Sequence, residues 1–275
     1  MSSLEQFSLK GKVAVITGGA GLLGVKHSEA IADAGGIPVI WDINEKAALK
    51  RAAELQKTHN TSAAGMRVDI TDPESIRNAL EKVLEIHKKV AILINNAASD
   101  SKVENPDRAL GRLESYPLES WNKEIAVGLT GAFLCSQIVG SHMATSGGGV
   151  ILNIASDLSI ISPDQRIYLK KGVAQEKQQV KPVTYSVVKH GLVGLTKYLS
   201  TYWASQGVRA NAISPGGIYN DKLPAEFVER LTNLIPMGRM AHSDEYKAAV
   251  VFLCSDASAY MTGHNLVMDG GRSIW

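Results

Sequence analysis

Tyr185 and Lys189 are four residues apart in Tyr185-Ser-Val-Val-Lys189. If the stretch is helical, as the apolar positions Val188, Leu192, Leu195 and Leu199 suggest, residues i and i+4 share a face, and the phenol and the ammonium converge on one point. That arrangement makes a base. A free tyrosine has a pKa near ~10, so lowering it to about 7 needs roughly 4 kcal/mol of preferential stabilisation of the phenolate. A fixed ammonium nearby is a source of it. Alone, the spacing is more often the mark of a half-buried tyrosine beside a solvated lysine, and the rest of the chain has to decide.

A second candidate centre is the turn Thr17-Gly-Gly-Ala-Gly-Leu-Leu-Gly24. Gly19, Gly21 and Gly24 fit G-x-G-x-x-G, in which glycines let the backbone approach a pyrophosphate seated on a helix N-terminus. Asp42 stands at the end of the next apolar run, at the distance expected of an acid that binds a ribose 2′-hydroxyl and repels a 2′-phosphate. NAD is therefore expected over NADP, the plainer alternative being an aspartate that caps the next helix.

Both centres need a frame, and the apolar runs supply one. Val13 to Thr17, Ile37 to Trp41, Met66 to Val68, Val90 to Ile94, Gly149 to Ala155, Arg209 to Ile213 and Leu266 to Met268 read as buried strands. Helices are expected at Leu22–Ala34, Glu45–Lys57, from Pro73, Leu118–Thr145, Val183–Ser205 and Ser243–Cys254. Strands alternating with helices predict an α/β, doubly wound parallel sheet of about seven strands, covered by helices on both faces. The 275 residues suit a single domain over 1–275. An apolar fraction of 45%, a charged fraction of 20% and a net charge of +2 give no reason to expect nucleic acid. The opening residues lack a signal peptide's pattern, and no uninterrupted apolar run is long enough for a membrane span, so a cytoplasmic protein is expected. Cys135 and Cys254 read as reduced buried thiols. His27, His142, His190 and His264 read as ordinary surface or interface histidines, and no metal is expected.

With those landmarks in order, the sequence resembles the short-chain dehydrogenase/reductases from about Gly11 to Gly271. The resemblance is carried by Thr17-Gly18 with Gly24, Asp69, Asn95-Asn-Ala97, Asn153-Ile-Ala-Ser156, Tyr185 with Lys189, Ser214-Pro-Gly-Gly217, Thr262-Gly263 and Asp269-Gly-Gly271. It implies that Tyr185 is the acid/base, that Lys189 lowers its pKa and binds the nicotinamide ribose, and that Ser156 hydrogen-bonds the reacting oxygen. It further implies that Asp69 contacts the adenine and Asn95 lines the cofactor cleft. The full expected cofactor set is Gly18, Gly19, Gly21, Leu22, Leu23, Gly24, Asp42, Ile43, Asp69, Ile70, Asn95, Ala97, Tyr185, Lys189, Pro215, Gly216 and Ile218. Alcohol oxidation needs a base and a donor to the reacting oxygen, and Tyr185 and Ser156 meet that need. A homotetramer, or else a homodimer, is the family expectation.

The chain departs from the family pattern in several places. Leu22 stands where a turn glycine is usual, Ala98 follows Asn95-Asn-Ala97, and Gly128 replaces an asparagine that supports a water-linked proton path. Ser156 and Tyr185 are 29 residues apart, longer than usual, which marks an insertion at about 162–182 expected to overhang the substrate cleft. Its Arg166, Lys170, Lys171, Lys177 and Lys181 outnumber Asp164 and Glu176, which suits a phosphorylated or carboxylated sugar or polyol; a merely solvating loop has the same composition. Ser99–Tyr116 is expected to form the opposite lip. The expected activity is NAD-dependent interconversion of a secondary alcohol and a ketone on a small polar, sugar-like substrate. Val127-Gly-Leu-Thr-Gly131, the insertion and the Gly271-Arg-Ser-Ile-Trp275 ending also look similar to oxidoreductases of bacterial surface-glycan and nonulosonic (legionaminic-type) acid pathways. The alternatives are a 3-oxoacyl carrier-protein reductase, which Asp42 opposes, and a non-catalytic NADH sensor, which Gly128 favours and the intact Ser156, Tyr185 and Lys189 oppose.

Overall fold

In the computed structural model, residues 2–99 and 111–275 are described. Seven strands form one parallel sheet in the order β3-β2-β1-β4-β5-β6-β7. They are β1 Val13–Thr17, β2 Ile37–Asp42, β3 Ala64–Arg67, β4 Ile92–Asn95, β5 Gly149–Ile154, β6 Val208–Pro215 and β7 Asn265–Met268. The helices are α1 Leu22–Asp33, α2 Glu45–His59, α3 Pro73–His87, α4 Leu118–Ile125, α5 Gly131–Thr145, α6 Val183–Tyr202, α7 Ala225–Thr232 and α8 Lys247–Cys254. The expected strands are present, most with shifted ends, and so are the expected helices, except that the one expected over Leu118–Thr145 is broken and the one expected over Ser243–Cys254 opens with a 3-10 turn at Ser243–Tyr246. The short amphipathic α7, opened by Pro224, escaped the sequence reading.

Alternation along the strands divides the core. Ala14, Ile16, Ile40, Ile92 and Ile94 face one side and pack with residues of α1 and α8; Val13, Val15, Val39, Trp41 and Leu93 face the other and pack with α3 and α5. Local chemistry sets the helix starts. Asp72 accepts a hydrogen bond from Glu74 N at 2.9 Å ahead of Pro73, and Asn44 accepts from Ala47 N at 3.1 Å.

The stretch expected as one helix, Leu118–Thr145, is interrupted by a π turn at Ala126–Thr130. Its 28 residues are long and apolar enough to cross a membrane by length and composition. Polar residues punctuate it, so it contains no uninterrupted apolar run of that length. Here Cys135, Val139 and Met143 bury one side of it against the sheet. Both cysteines are buried and unbridged.

His27 corrects the expectation of surface histidines. It lies on the inner side of α1 with no exposed surface, and neither ring nitrogen has a protein partner. Burial pushes its pKa down to about 4. Because the unfolded chain binds the proton more readily, this site's contribution is present above pH ~6.5 and is lost as the pH falls toward 4, by about 3 kcal/mol in all. Replacing His27 with leucine is therefore expected to flatten the fall in denaturant-unfolding free energy between pH 7 and pH 4.5. An unchanged slope would exclude His27 as a source of acid lability.

Candidate active site

The strand order reverses between β1 and β4, and a cleft of about 910 Å³ opens at the carboxyl ends of the strands there. Its floor is a clamp between the two strand ends. Asn96 N and Ala97 N donate to Thr17 Oγ1 at 3.0 and 3.1 Å, and Asn96 Nδ2 donates to the carbonyls of Thr17 and Gly18, both at 3.0 Å. The clamp brings Ala97 so close that a Cβ on Gly18 would lie 2.8 Å from Ala97 Cα, and Gly18 has φ +58°. Glycine is required there on both counts.

Of the expected cofactor residues, Gly18, Gly21, Leu22, Leu23, Asp42, Ile43, Asp69, Ile70, Ala97, Pro215, Gly216 and Ile218 line this cleft, as do Tyr185 and Lys189. Gly19 and Gly24 do not; they sit behind the turn, where a side chain on Gly24 would collide with the Gly18 carbonyl and Gly19. Asn95 is also displaced from its expected place. As the last residue of β4 it points into the sheet's covered face, where Nδ2 donates to Asn153 Oδ1 at 2.8 Å and Ser136 Oγ at 3.0 Å. Its neighbour Asn96 points the opposite way and lines the cleft instead.

Asp42 is held by two amides: Oδ2 accepts from Ala20 N at 3.2 Å and Oδ1 from Asn44 N at 3.0 Å. Asp69 accepts from Thr71 Oγ1 at 2.7 Å and Thr71 N at 2.9 Å, bonds that hold its carboxyl below the usual range and keep it ionised. No side chain caps the start of α1. The amide N–H groups of its first turn are thus left for an anion in the cleft. A glycine cradle, uncapped amides and an acid at the end of β2 fit a dinucleotide.

At the other end of the cleft, Ser156 follows β5 while Tyr185 and Lys189 come from one face of α6. Lys189 is 6% exposed, and its Nζ donates to Ile154 O at 2.7 Å and stands 5.7 Å from the centre of the Tyr185 ring. The ammonium is thereby fixed between the end of β5 and the phenol. Ser156 Oγ donates to Asp157 Oδ1 at 2.9 Å and accepts from Leu158 N at 3.2 Å. The other oxygen of Asp157 accepts from Arg272 Nη1 at 2.7 Å, in an ion pair whose side chains are 5% and 7% exposed. Asp269 secures the arginine's turn by accepting from Gly271 N and Ser273 N at 2.9 and 2.8 Å. Buried Tyr246 sits near Asp157 and Gly216, and its pKa is pushed up to about 12 by burial and then by the Asp157 charge. It stays protonated at neutral pH.

The sequence reading missed Asn96, Lys123, Asp157 and Arg272, and named Lys181 only among the basic residues of the insertion. Asn96 could have been found from strand alternation. Asp157 and Arg272 meet across 115 residues, and no local pattern announces such a pair. Most of the expected second lip lies outside the described residues. Among the described residues, no group of three His, Cys, Asp or Glu side chains could hold a metal ion.

A profile of the family described as Enoyl-(Acyl carrier protein) reductase matches residues 20–273. A NAD-dependent glycerol dehydrogenase of Listeria innocua is 33% identical, with 98% of this chain and 97% of that protein covered. A D-threitol dehydrogenase of Mycolicibacterium smegmatis is 34% identical over 98% of this chain and 95% of its own length. The chain belongs to the short-chain dehydrogenase/reductase family. It is a nicotinamide-dependent oxidoreductase, and its sheet is that family's Rossmann fold. A crystal structure of a gluconate 5-dehydrogenase from Burkholderia cenocepacia, in complex with NADP and tartrate, superposes with a TM-score of 0.84 at 28% identity, covering 99% of both chains.

Within this short-chain dehydrogenase/reductase, Gly128 is a packed feature. A Cβ there would lie 2.6 Å from Val188 Cγ1, so an asparagine at 128 would have to displace Val188 of α6. Val188 is one residue from Lys189, and the π turn passes directly beside that helix.

Proposed function

We propose that the chain interconverts a secondary alcohol and the matching ketone on a polyol, sugar or sugar acid, with NAD as its redox partner and Tyr185 as the acid/base. The observation that carries this reading is the convergence of Asp42, the glycine turn, Ser156, Tyr185 and Lys189 on one cleft. In the direction of oxidation, Tyr185 takes the substrate's hydroxyl proton, and Lys189 stabilises the phenolate and holds the nicotinamide ribose. A nicotinamide held there would supply the acceptor for the carbinol hydride, or its donor in the direction of reduction. Ser156 turns its proton from Asp157 to the reacting oxygen; Arg272, on the far carboxylate oxygen, weakens Asp157 as a competing acceptor and makes that exchange less costly. The relatives named for glycerol, D-threitol and gluconate support a polar substrate.

The Asp42 carboxylate at the end of β2 supports NAD over NADP. Fluorescence titration is expected to show tighter binding of NADH than of NADPH. Replacing Asp42 with serine should shrink that ratio at least about tenfold, because the carboxylate that accepts from a ribose hydroxyl and repels a 2′-phosphate is then gone. A preference for NADPH in the unaltered protein would overturn the reading and bring back the carrier-protein ketoreductase. Apolar side chains left on α5 and α6 (Phe133, Val187, Tyr198, Tyr202) and at the C-terminus (Ile274, Trp275) support a homotetramer, or a homodimer through one of those faces.

A further inference from the structure

The 162–182 segment is tied down by its own glutamines. Gln178 Nε2 donates to the carbonyls of Lys170 and Val173 at 2.9 and 2.7 Å, and its Oε1 accepts from Lys170 N at 2.8 Å. Gln165 treats Lys181 the same way: its Oε1 accepts from Lys181 N at 2.8 Å and its Nε2 donates to Lys181 O at 3.3 Å. The segment is also docked. Ile167 is buried in an apolar cluster with Leu231, Ile235 and Met240, Tyr168 lies against Phe227 with ring centres 5.5 Å apart, and Arg230 of α7 donates to Leu169 O. A purely solvating loop needs none of these ties, since ordering its backbone costs about 1–2 kcal/mol per residue.

What the ties fix is the position of Lys181. One amide side chain grips both its N–H and its carbonyl, just ahead of the helix that carries Tyr185. Its Nζ stands 3.7 Å from the centre of the Tyr185 ring, nearer than the 5.7 Å of Lys189.

We propose that Lys181 is a second cation of the Tyr185 site, a positioning and tuning residue that favours the phenolate through the face of the ring, and that the insertion exists to hold it there. The proposal rests on Tyr185 being the acid/base. An ammonium over an aromatic face is attracted to the π cloud. Ionising the phenol spreads negative charge into the ring and strengthens that attraction, so the charged form gains more than the neutral one. Other charged groups among the described residues lie on the elements around the same phenol. They are Lys189 and exposed His190 on α6, Lys123 and the buried Glu124, which accepts from Thr184, on α4, and Asp157 with its partner Arg272 beside Ser156. Removing Lys181 alone leaves this set unchanged.

The test is an ultraviolet difference titration of tyrosinate absorbance on the full-length protein, with the Tyr185→Phe variant subtracted to isolate Tyr185. In the unaltered protein Tyr185 is expected to titrate well below ~10. Lys181→Met should raise its midpoint by about one pH unit, a tenfold loss of phenolate at a given pH, while Lys181→Arg keeps most of the effect. Gln165→Leu, which leaves the lysine in place but frees its backbone, should shift the midpoint the same way by less, and it serves if Lys181→Met fails to fold. A low midpoint that neither variant moves overturns the role of Lys181 and leaves Tyr185 as the base. A midpoint near 10 in the unaltered protein overturns the reading of Tyr185, and the proposal with it.

Discussion

Replacing Tyr185 with phenylalanine is expected to lower kcat by about 10²–10⁴-fold, the range ascribed to a positioned acid/base. The dissociation constant for NADH should stay within about threefold, under roughly 0.7 kcal/mol. The separation follows from the geometry. The phenol lies at the end of the cleft where Ser156 and α6 meet, while the amides of the first turn of α1, Asp42 and Asp69 line the rest of it. The ring that packs beside Lys189 is retained in phenylalanine, so the ammonium keeps its bond to Ile154 O. Steady-state rates with polyols and sugar acids, alongside NADH fluorescence titration, make the comparison. The unaltered enzyme should also show kcat/KM for alcohol oxidation falling on the acid side as the phenolate takes up a proton. A Tyr185→Phe variant with undiminished turnover would exclude Tyr185 as the acid/base. An unaltered protein that binds NADH tightly but turns over none of these substrates would favour the sensor reading.

Much of the site was readable from the chain because its parts follow local rules. The glycine turn, Asp42 and the Tyr185–Lys189 pair each sit within a single strand end or helix turn, where spacing alone predicts which side chains meet. Reading failed where direction or distance in space decided the matter. Asn95 and Asn96 are the same residue type at adjacent positions, and only the pleat of β4 determines that the first is buried under the sheet and the second faces the cleft. His27 looked polar enough for the surface, but its place on the inner side of α1 left it no access to water. The basic insertion read as a charged lip because composition gives no hint that Gln165 and Gln178 would bond to its backbone and bring Lys181 onto Tyr185. Arg272 lay in an ending, Gly271-Arg-Ser-Ile-Trp275, that the sequence offered only as part of a family resemblance. Its contact with Asp157 depends on a turn, set by Asp269, that brings the side chain to the residue after Ser156.

Arg272 accordingly yields the largest expected effect on stability. With both side chains almost wholly buried, replacing Arg272 with methionine strands the Asp157 carboxylate without its countercharge, and breaking such a pair costs about 3–5 kcal/mol. The loss should appear as an earlier denaturant midpoint. Adding Asp157→Leu to Arg272→Met removes the stranded charge, so the double variant should recover most of that stability. Catalysis distinguishes this pair from an inert buried one. In the single variant Asp157 loses the arginine that drew on its charge and becomes a stronger acceptor for the Ser156 hydroxyl, holding that proton away from the reacting oxygen. Under conditions where the variant is folded, kcat should therefore fall while NADH affinity holds, and the double variant should regain turnover along with stability. Recovery of stability with kcat still depressed would mean that Asp157 itself is needed to orient Ser156. An Arg272→Met variant as stable and as active as the unaltered protein would show that the ion pair contributes to neither.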